Sequence, residues 1–207
     1  MNRDSEFVED VDREEEFPAA EGLESMRLRI AGVEPESFVD GPGIRFSIFT
    51  QGCSHHCPGC HNPQTHDFNG GHFVSLKELL DMIEENPLLD GVTLSGGDPM
   101  FQAATLVPLA REIKERGLNL VIFTGFTYER LMALVPEKPE YLELLSFADI
   151  LVDGPFVMAK RCMEIKFRGS LNQRLIDVQQ SLTEGKVVLH QIQIDEMKEH
   201  PDLFPEN

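Results

Sequence analysis

The sequence predicts an α/β fold, an incomplete, open barrel of parallel strands with helices outside. Three observations predict it. From Arg27 onward, short strand-like apolar runs alternate with runs of helical period. The strands are too few for a closed eight-stranded barrel. Finally, four polar or glycine-rich stretches (53–60, 96–99, 124–127 and 153–156) each follow a strand and precede the next element. In barrels and open α/β sheets, the loops at the C-terminal ends of strands form the active face.

Residues 1–25 are dominated by Asp and Glu, with Glu14, Glu15 and Glu16 in a run, and read as a solvated, disordered acidic tail. Leu28 and Ile30 then alternate with Arg27 and Arg29, a strand signal. Asp40-Gly41-Pro42-Gly43 is a turn. Residues 44–49 alternate again and run into Thr50-Gln51-Gly52-Cys53, so the cysteine loop starts at the C-terminal end of a strand. Ser75 and Glu78 form a capping box ahead of the apolar stripe Leu76, Leu79, Leu80 and Ile83. Residues 91–95 make a short strand ending in Gly96-Gly97-Asp98-Pro99. A helix over 102–116 carries Leu106, Leu109, Ala110 and Ile113 and stops at Gly117. The apolar strand 118–123 ends in Thr124-Gly125, and helices follow over 127–134 and 141–147. Residues 150–152 form a strand ending in Asp153-Gly154-Pro155, with fainter strand signals at 166–168, 175–178 and 186–193. One domain is expected over 26–194, followed by a polar C-terminal tail over 195–207.

Composition narrows the function classes. A chain of 207 residues, 41% apolar, is long enough for one core. Its net charge of −18 argues against a nucleic-acid surface, which needs clustered Lys and Arg, and against anionic membranes. No apolar run is long enough to span a bilayer. The acidic N-terminus lacks a secretory pattern. Three of the four cysteines sit together, which in a reducing cytoplasm points to metal rather than to disulfides.

Those three, Cys53, Cys57 and Cys60, are spaced C-x3-C-x2-C. Thiolates are the usual ligands of iron–sulfur clusters, and three on one loop leave one iron of a 4Fe–4S cube open. An open position marks a site that binds a small molecule. Three other readings compete. Cys57-Pro58-Gly59-Cys60-His61 matches a c-type haem attachment, which needs export and leaves Cys53 idle. A structural zinc module is suggested by His55, His56, His61, His66 and His72, yet no second cysteine pair exists. A thioredoxin-like pair would want its C-x-x-C at a helix start. Gly96-Gly97-Asp98-Pro99 reads both as a helix cap and as a close ligand approach in which Asp98 accepts from an ammonium. Cys162 reads as an ordinary thiol, and Asp153 equally as a turn or a site residue. Arg168, Asn172 and Gln173 form a polar segment to which pattern alone gives no role.

Together these residues resemble the radical S-adenosylmethionine superfamily. Asp40-Gly-Pro-Gly43, Cys57-Pro-Gly-Cys60, Leu94-Ser-Gly-Gly-Asp-Pro99, Leu151-Val-Asp-Gly154 and Arg168-Gly-Ser170 with Asn172-Gln173 make the chain similar to the activating proteins of anaerobic (class III) ribonucleoside-triphosphate reductases. The resemblance spans about residues 28–178. It implies a radical SAM-type open barrel, a 4Fe–4S cluster on Cys53, Cys57 and Cys60, and bound S-adenosylmethionine. Gly59, Cys60 and His61 would lie along the cofactor, and Gly96, Gly97 and Asp98 would meet its methionyl amino group. Gly59 stands where many superfamily members carry an aromatic residue, and Asp98 where many carry Glu. The implied activity is reductive cleavage of the sulfonium to a 5′-deoxyadenosyl radical, which takes a hydrogen from a glycine of the reductase. No side-chain acid or base is required. A flavodoxin-like electron donor is implied as a second partner. The alternatives are a small-molecule radical enzyme similar to 7-carboxy-7-deazaguanine synthase and a non-catalytic zinc-binding module. A pyruvate formate-lyase activator is a closer relative, against which Gly59 weighs.

Overall fold

A computed structural model describes residues 20–204 of the chain. Most of the expected acidic tail, residues 1–19, lies outside the described residues. Of the rest, Ala20–Leu23 form helix α1 and Glu24 and Ser25 a turn, and Leu23 is buried in the core.

Among the described residues, seven strands form one open sheet. These are β1 (Arg27–Ser37), β2 (Arg45–Thr50), β3 (His72–Ser75), β4 (Gly91–Gly96), β5 (Asn119–Phe123), β6 (Ile150–Asp153) and β7 (Arg174–Asp177). Their order is β3-β1-β2-β4-β5-β6-β7. The four central strands β2, β4, β5 and β6 are parallel, in register from Arg45 opposite Gly91 and Gly91 opposite Asn119. Both flanks differ from the parallel expectation, because β1 pairs antiparallel with β2 and β3, and β7 antiparallel with β6. The reason lies in the connections. The turn 38–44 is too short for a crossover, which needs a dozen or more residues. The segment 154–173 returns over the strand ends without a helix that could carry the chain back under the sheet.

Period-two alternation divides the strands between two faces. Phe46, Ile48, Val92, Leu94, Leu120, Ile122, Leu151 and Ile176 face the main core. Helices α2 (Leu76–Glu84), α3 (Ala103–Glu115), α4 (Tyr128–Leu134), α5 (Pro139–Phe147) and α6 (Val178–Glu184) cover that face. Their boundaries follow local chemistry. Ser75 Oγ accepts from Glu78 N (3.1 Å) and Thr127 Oγ1 from Arg130 N (3.3 Å). Gly117 ends α3 at φ +74°.

The opposite face starts polar and turns apolar. Arg45, Ser47 and Thr93 are fully buried there, whereas Val121, Ile150, Val152 and Leu175 form a second small cluster with Phe167 and Ile192. Arg45 plugs the end of the sheet away from the cysteine loop. Its guanidinium donates to Thr93 Oγ1 (3.1 Å), Val92 O (2.5 Å), and Asn119 O and Oδ1 (both 3.0 Å). Burial lowers its pKa to about 10, against the opposing pull of Asp149, Asp90 and Asp40.

The C-terminal third departs most from the sequence expectation. Residues 166–168 are a turn rather than a strand, because Phe167 adopts φ +57° and Lys166 N donates to Glu196 Oε1 (2.6 Å). Within 186–193 only Leu189 makes a bridge, to Ile176. Helix α7 (Gln191–Glu199) then runs straight across the boundary expected at Asp195, and Gln193 and Glu196 are buried. Among the described residues no helix is long and apolar enough to cross a membrane.

Candidate functional site

The four strand-end loops do meet. Cys53, Cys57, Cys60, His61, Gly96, Gly97, Thr124, Gly125, Gly154 and Phe156 all line one cavity of about 590 Å³. That volume is in the range of a small-molecule site.

The cysteine loop is built by its own backbone. Gly52 N donates to Thr65 O (2.8 Å) and Cys53 N to His66 O (3.2 Å), closing the loop at its base. Gln51 Nε2 donates to Asp67 O (2.6 Å), a contact that no pattern around the cysteines signals. At the tip, Cys60 N donates to Cys57 O (3.0 Å), and Gly59 adopts φ +76°. Pro then Gly at the two central positions is the type II turn signature, which accounts for Gly59 by turn geometry. A helix does not start at this C-x-x-C, in contrast to what a thioredoxin-like pair requires.

Cys53 is buried at 7% exposure, and Cys57 and Cys60 are half-buried. All three are free thiols. Burial pushes the Cys53 thiol up; a backbone hydrogen bond at His55 opposes this, and Asp98, Cys57 and Cys60 add to it. A metal that binds here displaces that proton. Among the described residues, no three His, Cys, Asp or Glu side chains converge tightly enough for a single metal ion. A cubic cluster takes one thiolate per iron, so its ligands stand further apart than those of one ion. Three free thiols on one loop, facing a cavity with room beside them, fit that group.

Glycine is required at 96 and 97 by the chain itself. A Cβ at Gly96 (φ +92°) would lie 2.6 Å from Phe49 Cα, and one at Gly97 2.5 Å from Gly52 O. The two strand ends are joined there by Gly97 N to Thr50 O (2.7 Å) and Asp98 N to Gly52 O (2.9 Å).

Asp98 stands behind the cavity wall. Its fully buried carboxylate accepts from His55 Nε2 (2.8 Å), Thr124 Oγ1 (2.9 Å), Gly125 N (3.0 Å) and Met100 N (3.0 Å). It also caps the 3-10 turn Pro99–Gln102, with Pro99 in first position as its sequence suggests. Gly59 likewise lies outside the lining, backed by the Met158 side chain.

The remaining polar residues divide clearly. Asp153 is buried and structural, accepting from Tyr128 N (2.8 Å) and pairing with Arg174, which also holds Glu129. Gln173 braces the segment over the site, accepting from Gly169 N (2.9 Å) and donating to Gly154 O (3.1 Å). Asn172 donates to Pro155 O (2.8 Å). Arg168 borders the cavity and pairs with Glu196. Cys162 lines the same cavity as the cysteine triad.

Comparison with known proteins bears on this arrangement. The family described as a 4Fe-4S single cluster domain matches residues 39–176. The anaerobic ribonucleoside-triphosphate reductase-activating protein of Vibrio cholerae is 32% identical over 147 residues, 67% of this chain and 91% of that protein. Its counterpart in Escherichia coli K12 is 31% identical over 147 residues, 67% of this chain and 92% of that protein. The pyruvate formate-lyase-activating enzyme of Clostridium pasteurianum is 35% identical over 130 residues, 60% of this chain and 50% of that enzyme.

Proposed function

Because the chain belongs to the 4Fe-4S single cluster domain family and to the anaerobic ribonucleoside-triphosphate reductase-activating proteins, we propose that it is a radical S-adenosylmethionine activase. It cleaves S-adenosylmethionine reductively and generates a glycyl radical on the anaerobic reductase. When bound, a 4Fe–4S cluster would supply the low-potential electron that cleaves the sulfonium C–S bond and an open iron for the methionyl amino and carboxylate groups.

The chain's own residues provide ligands, position and shelter. Cys53, Cys57 and Cys60 hold the cluster. His61 and the backbone of Gly96 and Gly97 border the S-adenosylmethionine, with Asp98 behind them. Phe156 and the segment braced by Gln173 keep water from the reacting centre. Exposed Phe38, Val39 and Met163 border the cavity mouth, where a glycine loop of the reductase enters. No side chain acts as general acid or base. The electron comes from a flavodoxin-like donor in the cytoplasm.

The observation that carries this reading is that all three cysteines share one cavity with the Gly96–Gly97 turn, at the C-terminal ends of parallel strands. The test is low-temperature EPR of the anaerobically reconstituted, dithionite-reduced protein, with and without S-adenosylmethionine. A reduced 4Fe–4S signal that shifts on addition, followed by a glycyl radical when the reductase is supplied, is the expected result. A signal indifferent to S-adenosylmethionine would overturn the reading.

A further inference from the structure

His55 is the middle residue between Cys53 and Cys57, and its side chain points away from simple solvent exposure into a built slot. Its Nε2 meets the Asp98 carboxylate at 2.8 Å. Its ring packs edge-on to Phe126, with centroids 4.6 Å apart. The Gly125 backbone lies so close under the ring that a side chain at 125 would collide with it. Phe101 closes the slot at 6.1 Å. Asp98 in turn is fixed by Thr124, Gly125 and Met100. One side chain therefore ties the cysteine loop to the ends of both β4 and β5.

We propose that His55 is a positioning residue: by its bond to buried Asp98 it sets where Cys53 and Cys57 present their sulfurs relative to the Gly96–Gly97 turn. The physical case is that the loop's backbone bonds sit at its base and tip, at Gly52, Cys53 and Cys60. Between them, His56 adopts φ +46°, a conformation that a β-carbon-bearing residue keeps only when its surroundings hold it. The His55 anchor lies next to that residue. Asp98 is thereby assigned to the loop rather than to a ligand's amino group, since its oxygens already accept from four donors. Outer-shell partners of this kind orient the groups that bind metal.

The inference rests on the activase reading for its meaning, but its first readout does not need a cluster. In iron-free, reduced protein, alkylation of Cys53 by iodoacetamide is followed by peptide mass spectrometry for wild type, His55→Ala, His55→Phe and His55→Gln. His55→Phe keeps a ring in the slot and removes only the nitrogen. His55→Gln keeps an N–H donor. Loss of the bond is expected to speed Cys53 labelling about tenfold in the Ala and Phe variants, with Gln returning most of the protection. After reconstitution, the S-adenosylmethionine concentration that half-shifts the EPR signal is expected to rise about tenfold in the same two variants. Wild-type labelling and a wild-type titration in His55→Phe would overturn the proposal, even if His55→Ala does not fold. A wild-type cluster indifferent to S-adenosylmethionine, with the labelling difference intact, would sink the activase reading and leave the anchor standing.

Discussion

Arg168 and Glu196 meet as an ion pair with side-chain exposures of 0% and 1%, where Arg168 borders the cavity. Arg168 also donates to Gln173 O (3.3 Å), and Glu196 accepts from Lys166 N (2.6 Å). Helix α7 is thereby fastened to the segment that faces the cysteine loop. Burial lowers the Arg168 pKa to about 10, with Cys162 pulling the other way. Removing one member leaves the other buried and unpaired. Glu196→Ala is expected to lose about 3–5 kcal/mol in urea unfolding, and a loss below about 1 kcal/mol would show the pair to be exchangeable with water.

Acid should loosen the same helix at its other end. His190 caps α7, its Nδ1 accepting from Ile192 N (3.2 Å). Burial holds its pKa below the ordinary 6.5, with Asp177 pulling the other way. The folded state thus binds fewer protons at this site than the unfolded chain. The contribution is fully present above the unfolded value of 6.5 and is lost as pH falls through the lower folded value. Protonation also removes the cap acceptor, worth about 1 kcal/mol. His190→Asn keeps a cap and does not titrate. Between about pH 7 and pH 5, its stability curve is expected to fall less steeply than that of wild type by about that amount.

Local chemistry was readable in the sequence, and tertiary pairing was not. Ser75, Thr127, Asp98-Pro99 and Gly117 act where their sequence context puts them, because caps and stops depend on neighbours within one turn. The convergence of the four loops was also legible, since strand ends in an α/β sheet share one edge. Arg45 was not. In an alternating strand it reads as a solvent-facing residue, yet the open barrel buries both faces and the guanidinium finds its partners on β4 and β5. Nor does any pattern join His55 to Asp98 or Arg168 to Glu196, because their partners are set by sheet order. Residues 186–193 read as a weak strand and those from Asp195 as a polar tail, whereas helix α7 crosses both and buries Gln193 and Glu196. Those residues are inside for their hydrogen bonds rather than for apolar area.

The Gly96–Gly97 turn offers a separate test of the site's frame. Gly96→Ala forces a Cβ to within 2.6 Å of Phe49 Cα at φ +92°, and the backbone on both sides must give way. The expected cost is about 2–3 kcal/mol, read as a lower urea midpoint with an unchanged slope. Because the collision is with β2, the S-adenosylmethionine-dependent EPR shift should weaken as well. Wild-type stability in this variant would mean that the two strand ends are less tightly joined than the Gly97 N to Thr50 O bond implies.

The fourth cysteine separates ligand from lining. Cys53, Cys57 and Cys60 lie on one loop closed at both its base and its tip, and each is expected to carry one iron. Cys162 borders the same cavity from the opposite segment, where its backbone N donates to Gly169 O (3.2 Å). Replacing any one of the three loop cysteines with alanine would remove one of the three proposed ligand thiolates. Reductive cleavage of S-adenosylmethionine, followed as 5′-deoxyadenosine release, should then drop by about 1,000-fold or more, with iron per chain falling in parallel. Cys162→Ala should keep both iron content and cleavage within about twofold of wild type, since a half-buried thiol contributes chiefly packing. A Cys57→Ala variant with full iron and full cleavage would remove the ligand assignment. Loss of iron from Cys162→Ala would instead add the opposite wall to the ligand set, and the open iron would then have to be sought among the loop cysteines.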